Sequence, residues 1–382
     1  MLEFENEVKH PTKIKVIGIG GGGTNAVVRM LSSKMKHDGI DFIVVNTDSQ
    51  ALEAVDVPYK IAVGSKLTRG LGAGGNPEVG QKAALEDKDT IYGLLDGADM
   101  IFITAGMGGG TGTGASPIVA DIAREVGALT VGVVTRPFNF EGPKRAKQAE
   151  VGLKELIERV DTLITIPNQK ILSVVEKRTS IIDAFRAADD VLRQGIQGIA
   201  DLITIPGLIN LDFADVKAVM TAQGNALMGI GVASGENRAI DAAQAAISSP
   251  FLESNSIEGA RGILINITGG RDMMISEVDE AANLITEKAD NEANVIFGTV
   301  TDEAMKEEVS ITVVATGFGT RVSAAEPVQA DEKVRDMQSF RKAKSMAEAE
   351  KVGVGDRGYY PEGQVPADDP YAIPAFLRRH VD

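Results

Sequence analysis

The 382-residue chain contains no cysteine, no tryptophan, only three histidines and an aromatic share of 4%. Without cysteine there are no disulfides, thiolate zinc sites, iron–sulfur clusters or cysteine nucleophiles. His10, His37 and His380 lie far apart, so neither a histidine-based triad nor a histidine-rich metal site is expected. Scarce aromatics disfavour carbohydrate clefts and base-stacking platforms. Long hydrophobic runs are also missing: none approaches the roughly 18 apolar residues of a membrane helix. Met1 to Lys9 carries no apolar signal core, and a cytoplasmic location is expected. Positive charge is in deficit, with 39 Lys and Arg against 54 Asp and Glu, a net charge of −15. Such a surface repels nucleic-acid phosphates and anionic lipid, so neither nucleic acid nor direct membrane insertion is expected.

Apolar residues make up 43% of the chain, enough for full-size cores, and the length suggests two or three domains. Short β-branched runs at Lys13–Ile19, Asp41–Val45, Lys60–Val63, Met100–Thr104, Leu129–Val134 and Thr162–Ile166 read as buried parallel strands. Amphipathic stretches between them, Thr24–Lys36, Pro77–Ala84, Pro117–Val126 and Pro143–Val160, read as helices, three of them opening on proline. This alternation predicts a doubly wound α/β domain over residues 12–178. Thr179–Ile203 places Ile182, Phe185, Ala188, Leu192, Ile196, Ile199 and Leu202 at three- and four-residue steps, which predicts a long central helix.

A second, smaller α/β domain with a mixed sheet is expected over 204–318. Its helices are Asp215–Ala222, Arg238–Ser248 and Ser276–Ala289, and its strands Leu227–Ala233, Gly262–Thr268, Asn294–Val300 and Ser310–Thr316. The short connection between the last two strands suggests antiparallel pairing there. Residues 319–367 carry eight basic and eight acidic side chains with little clustered apolar surface, and predict a flexible linker. Residues 368–382 end the chain with exposed-looking apolar side chains.

The glycines, 42 in all, cluster where they carry chemistry. Gly18, Gly20 and Gly23 have G-x-G-x-x-G spacing directly after the first strand, with Thr24 and Asn25 following. Glycine backbone approaches a phosphate closely, and a helix N-terminus supplies free N–H groups. Taken alone, this loop also suits an NAD-dependent oxidoreductase. A second loop, with six glycines between Gly106 and Gly114, follows the strand at Met100–Thr104. Two such loops at the carboxyl ends of strands in one sheet would pinch a polyphosphate, and a dinucleotide fold has no use for the second. A third glycine-rich piece spans Gly70 to Asn76.

The loop GGGTGTG, together with VNTDSQAL, LGAGGNPEVG, TRPFNFEG, PGLINLDFADV and IPAFLRR, resembles the tubulin/FtsZ superfamily, in particular its FtsZ family of bacterial cell-division GTPases. The resemblance covers residues 12–318 and the terminal peptide. It implies GTP/GDP as ligand, with Mg²⁺ bridging the phosphates. Gly21, Gly22, Gly23, Thr24 and Asn25 are implied to line the nucleotide, and Gly108, Gly109, Gly110, Thr111 and Gly112 to cradle its phosphates. Gly72 and Ala73 correspond to the loop sensing the terminal phosphate, and Glu141 and Arg145 to a pair touching ribose and phosphate. Four apart on a helix, those two also read as an ordinary surface ion pair. On the central helix, Phe185 is implied to cover the base and Asp189 to read guanine. The residues themselves leave Asp189 and Asp190 as alternatives.

Asp212, with Asp215 three residues on, reads first as a helix N-cap. By resemblance, Asn210, Asp212 and Asp215 form a catalytic loop reaching the nucleotide of the next subunit in a head-to-tail homopolymer. The same resemblance implies GTPase activity on polymerisation into the cytokinetic ring. The alternative is a nucleotide-gated scaffold filament with little hydrolysis. The terminal peptide, through Asp369, Ile373, Pro374, Phe376, Leu377 and Arg378, is expected to bind membrane-associated division adaptors. These would recruit the protein to the inner face of the membrane at midcell.

Overall fold

The computed structural model describes residues 12–32, 39–176, 178–205, 207–221, 224–252, 257–290 and 292–318. The expected linker and adaptor-binding peptide lie outside the described residues.

The chain begins β1 (Ile14–Ile19), α1 (Gly20–Ser32), β2 (Ile40–Asn46), α2 (Ser49–Glu53), β3 (Tyr59–Ala62) and α3 (Ser65–Thr68). It continues α4 (Pro77–Glu86), α5 (Lys88–Leu95), β4 (Met100–Gly106), α6 (Thr111–Val126), β5 (Leu129–Arg136), α7 (Pro143–Ile157), β6 (Thr162–Pro167) and α8 (Asn168–Ile171). The central helix is α9 (Ile181–Thr204). After it come α10 (Phe213–Met220), β7 (Gly224–Ser234), α11 (Arg238–Ile247), β8 (Gly262–Gly269), α12 (Ile275–Thr286), β9 (Asn294–Thr301) and β10 (Glu308–Thr316).

The first six strands are all parallel and lie in the order β3-β2-β1-β4-β5-β6. Their runs are apolar because helices cover both faces: Met100, Ile101, Phe102 and Ile103 of β4 are each fully buried. The strands of the two expected domains join in one ten-stranded sheet, through a short parallel pairing of β6 with β7 at Thr162–Gly224 to Ile164–Ala226. In the far half the order is β7-β10-β8-β9. There the expected pairing of the last two strands gives way: β9 runs parallel to β8, while β10 inserts antiparallel between β7 and β8.

Local chemistry sets the helix ends. Ser180 caps α9 by accepting from the Asp183 N–H at 3.1 Å, and Asn76 caps α4 ahead of Pro77 at the first helical position. Two helices start earlier than the sequence predicts. Helix α1 opens at Gly20 rather than Thr24, and α6 at Thr111, which places Pro117 inside the helix instead of at its first turn. Glycine-rich turns have low intrinsic helicity, but here each helix start is packed against the other. The β1–α1 switch lies beside β4, so the carboxyl ends of β1 and β4 open into a shared crevice.

Candidate functional site

That crevice is a cleft of about 340 Å³, lined by the starts of α1 and α6, the β5–α7 connection, Asn168 and one face of α9. The first N–H groups of a helix have no intrahelical partner, and two helix starts converge on this cleft. Most glycines of the two loops are there for packing. Gly20 has φ +68°, and a Cβ on it would lie 2.8 Å from the Gly112 nitrogen. A Cβ on Gly112 would stand 2.7 Å from the Gly106 carbonyl oxygen. Gly21 and Gly109 differ: both line the cleft, and a Cβ on either meets nothing within 4 Å. Their open backbone fits an anion resting against the amides. Thr111 is anchored to Thr47 by a 2.7 Å hydroxyl–hydroxyl hydrogen bond, and the Gly108 N–H donates to Thr113 Oγ1 at 2.8 Å. These bonds fix the second loop before any ligand arrives.

Of the residues expected to bind the nucleotide, Gly21, Gly22, Asn25, Gly109, Gly110, Thr111, Gly112, Glu141, Arg145, Phe185 and Asp189 line the cleft. Gly23 and Thr24 are buried behind it, and Gly108 forms the turn that leads into it. Gly72 and Ala73 do not line it either. Their loop backs the second glycine loop, with the Gly72 N–H donating to the Thr47 carbonyl at 3.0 Å and Ala73 packed on Gly110.

Glu141 accepts from the Phe138 N–H at 2.9 Å and pairs with Arg145 at 2.5 Å, which holds the guanidinium at the cleft wall. Phe185 belongs to an aromatic cluster with Phe138 and Phe140, at ring separations of 5.2 and 6.2 Å. The structure separates the two adjacent aspartates. Asp189 lines the cleft, whereas Asp190 is turned away to Arg193 and Gln194, each at 2.7 Å. Burial pushes the Asp189 carboxyl up to about 6; the Arg29 charge opposes that shift and the Asp190 charge adds to it.

Gly106 and Met107, at the start of the second glycine loop, also line the cleft, and the sequence reading assigned no site role to Thr135, Pro137, Asn168 or Ala188, which line it too. Asn168 matters chemically, because its Oδ1 is buried without a hydrogen-bond partner. It directly follows β6, and the rule that ligands gather at strand carboxyl ends would have flagged it.

Asn210, Asp212 and Asp215 do not line the cleft; all three are exposed, Asn210 and Asp212 on the loop entering α10 and Asp215 in its first turn. Asp212 is the N-cap of α10, accepting from the Asp215 N–H at 2.9 Å, and Asn210 Oδ1 accepts from the Gly207 N–H. No helix among the described residues is long and apolar enough to cross a membrane.

A tubulin/FtsZ family GTPase-domain model matches residues 13–176, and an FtsZ family C-terminal-domain model matches residues 224–319. An FtsZ dimer from M. jannaschii is 42% identical, with a TM-score of 0.77 over 81% of this chain and 89% of that one. A mutant of the same M. jannaschii protein is 43% identical, with a TM-score of 0.76 over 80% of this chain and 91% of that one. The fold extends to a GTPγS-bound protofilament of CetZ2 from Haloferax volcanii, at 20% identity and a TM-score of 0.67 over 89% of this chain and 100% of that one. The oxidoreductase alternative gives way to these matches. With both family models in chain order, and M. jannaschii FtsZ alike over most of its length, the chain belongs to the FtsZ family of tubulin-like GTPases.

Proposed function

We propose that the chain binds GTP in the cleft, polymerises head to tail, and hydrolyses the nucleotide at a site completed by the next subunit, as the filament of the bacterial cytokinetic ring. The carrying observation is that the required chemistry is divided between two surfaces. The cleft offers backbone N–H groups for phosphates, but of its two lining carboxylates Glu141 is held by Arg145 and the Phe138 N–H, and Asp189 stands on the α9 wall beside Phe185. Asp212 and Asp215 are exposed and outside it. A second copy docked with its α10 loop over the cleft would bring two carboxylates and Asn210 to the γ-phosphoryl. There they would orient and polarise the attacking water, and positioning and electrostatics supply most of the catalysis of phosphoryl transfer.

Guanine suits the base end. An ionised Asp189 accepts from the ring N–H and the exocyclic amine that adenine lacks there, Asn168 Oδ1 adds an acceptor, and Phe185 covers the ring. Mg²⁺ would arrive on the nucleotide, held mainly through phosphate oxygens and water, and would neutralise charge on the phosphates. That mode needs no protein cage, and among the described residues no cluster of three metal-ligating side chains occurs. The M. jannaschii FtsZ dimer and the CetZ2 protofilament support self-association. Through Ile373, Phe376 and Leu377 the terminal peptide would tether this cytoplasmic filament to membrane-associated adaptors at midcell.

Phosphate release measured against protein concentration tests the shared site. The rate per molecule should rise from near zero above a threshold, and a constant rate at all dilutions overturns the proposal. Asp212→Asn retains a good N-cap while removing the charge, whereas Asp212→Ala removes both. Turnover should fall in both variants, with thermal stability lowered only in the alanine variant. Assembly with GTP in the absence of phosphate release would instead select the scaffold reading, which the capping role of Asp212 also accommodates.

A further inference from the structure

Asp189 stands in a wall between two depressions. One is the cleft; the other is a groove of about 510 Å³ between α1 and α9. Asn25, Phe185 and Asp189 border both. Arg29 lies in the groove, one helical turn beyond Asn25 on the same face of α1. The other cations nearby are committed: Arg186 to Asp183 at 3.1 Å, Arg193 to Asp190 at 2.7 Å, and Arg145 to Glu141 at 2.5 Å. Arg29 has no such partner among the described residues, and its Nε is buried without a hydrogen bond. A guanidinium with a desolvated, unpaired N–H beside a partly buried carboxylate is an arrangement that folding alone does not favour.

We propose that Arg29 is the positioning residue of base recognition, its charge keeping the partly buried Asp189 carboxylate ionised so that it accepts from both guanine donors at neutral pH. This rests on the reading of Asp189 as the guanine contact. The charged groups facing Asp189 are Arg29 from α1, Asp190 beside it on α9, Arg186 along the groove, and the Glu141–Arg145 pair on the β5–α7 side of the cleft. Burial raises the Asp189 carboxyl to about 6, Arg29 lowers it, and Asp190 raises it. A protonated carboxyl presents a donor where the base also has donors, so nucleotide affinity falls as pH drops through that value. Removing the Arg29 charge moves the midpoint upward into the neutral range.

The test is GDP affinity of the full chain by calorimetry between pH 6 and 8.5, for wild type, Arg29→Met, Arg29→Lys, Asp189→Asn and the Arg29→Met/Asp189→Asn pair. A one-unit upward move of the midpoint gives a loss of up to about tenfold below that midpoint. Arg29→Met should therefore bind about fivefold more weakly at pH 6, the wild-type midpoint, approach wild type at pH 8.5, and add nothing in the Asp189→Asn background. Arg29→Lys should track wild type at every pH. A loss of equal size at all pH values, or no loss, overturns the proposal, since a merely structural arginine gives no pH-dependent deficit. If Asp189→Asn itself leaves GDP affinity unchanged, the guanine reading fails and the proposal falls with it. If Asp189→Asn weakens binding while Arg29→Met leaves the pH profile in place, only the role of Arg29 is refuted. Should Arg29→Met melt early, Arg29→Gln, which keeps a polar N–H without the charge, carries the same comparison.

Discussion

Replacing Gly21 or Gly109 by alanine separates what the glycine loops do for folding from what they do for the ligand. Neither residue adopts a positive φ, and a Cβ on either meets nothing within 4 Å, so the backbone accepts alanine without strain. At Gly21, the second residue of α1, alanine also restricts the unfolded chain and should stabilise the protein by about 0.4–1 kcal/mol. The added methyl would project into the glycine-lined end of a cleft of only about 340 Å³, where the proposal puts the phosphates. Displacing an anion from one backbone N–H forfeits a charge-assisted hydrogen bond worth about 1.5–3 kcal/mol, or roughly ten- to hundredfold in affinity. Gly20→Ala is the control: with φ +68° and the Gly112 nitrogen 2.8 Å from the new Cβ, it should lower stability as well. Calorimetric GDP binding and thermal melting of the apo protein measure the two effects apart. The expected pattern is unchanged or raised melting with weakened binding for Gly21→Ala and Gly109→Ala, and a loss of both for Gly20→Ala. Full affinity in Gly21→Ala and Gly109→Ala would refute the assignment of these amides to the phosphates.

The strands of the first half were legible to within a few residues because burial on both faces leaves a continuous β-branched run with punctuation at each end. The placement of β10 was not, since insertion between β7 and β8 is a long-range pairing with no local periodicity to announce it. Helix α5 escaped notice because only Ile91 and Leu95 mark its buried face. The early starts of α1 and α6 follow from contact between two glycine loops distant in sequence, so tertiary packing overrides weak local propensity there. The glycine-lined end of the cleft was legible for the opposite reason, as glycine clusters are costly and stand out. Thr135, Pro137 and Ala188 are chemically plain residues whose meaning comes only from being gathered around one crevice. Asp189 and Asp190 are separated by a single helical step. The i,i+4 relation of Asp189 to Phe185 puts both on the helix face that lines the cleft, whereas Asp190 pairs with Arg193.

Two further tests address buried charged groups outside the cleft. Arg238, 5% exposed, forks onto Glu277 at 2.7 and 3.1 Å and onto Asp272 at 2.6 Å, tying α11 to the start of α12. Arg238→Met leaves Glu277 buried and unpaired and should cost about 3–5 kcal/mol in urea unfolding, with partial recovery on adding Glu277→Leu; a neutral single variant would contradict this. Asp201, buried on α9 in the same core as β8 and β9, has its carboxyl pushed up to about 6 by burial, against the hydrogen bond from Gln197. Because its folded pKa lies above the unfolded value near 3.9, the fold favours the protonated form. That stabilisation is complete below about pH 4 and is lost as pH rises through about 6. At pH 7.5 the ionised group therefore costs up to about 3 kcal/mol, taking two units at about 1.4 kcal/mol each. Asp201→Asn should raise the urea midpoint at pH 7.5 and leave it nearly unchanged at pH 4.5, where the wild-type carboxyl is already largely protonated. Equal destabilisation at both values would mean that the carboxylate is needed for its hydrogen bonds, and that its burial does not strain the helix at neutral pH.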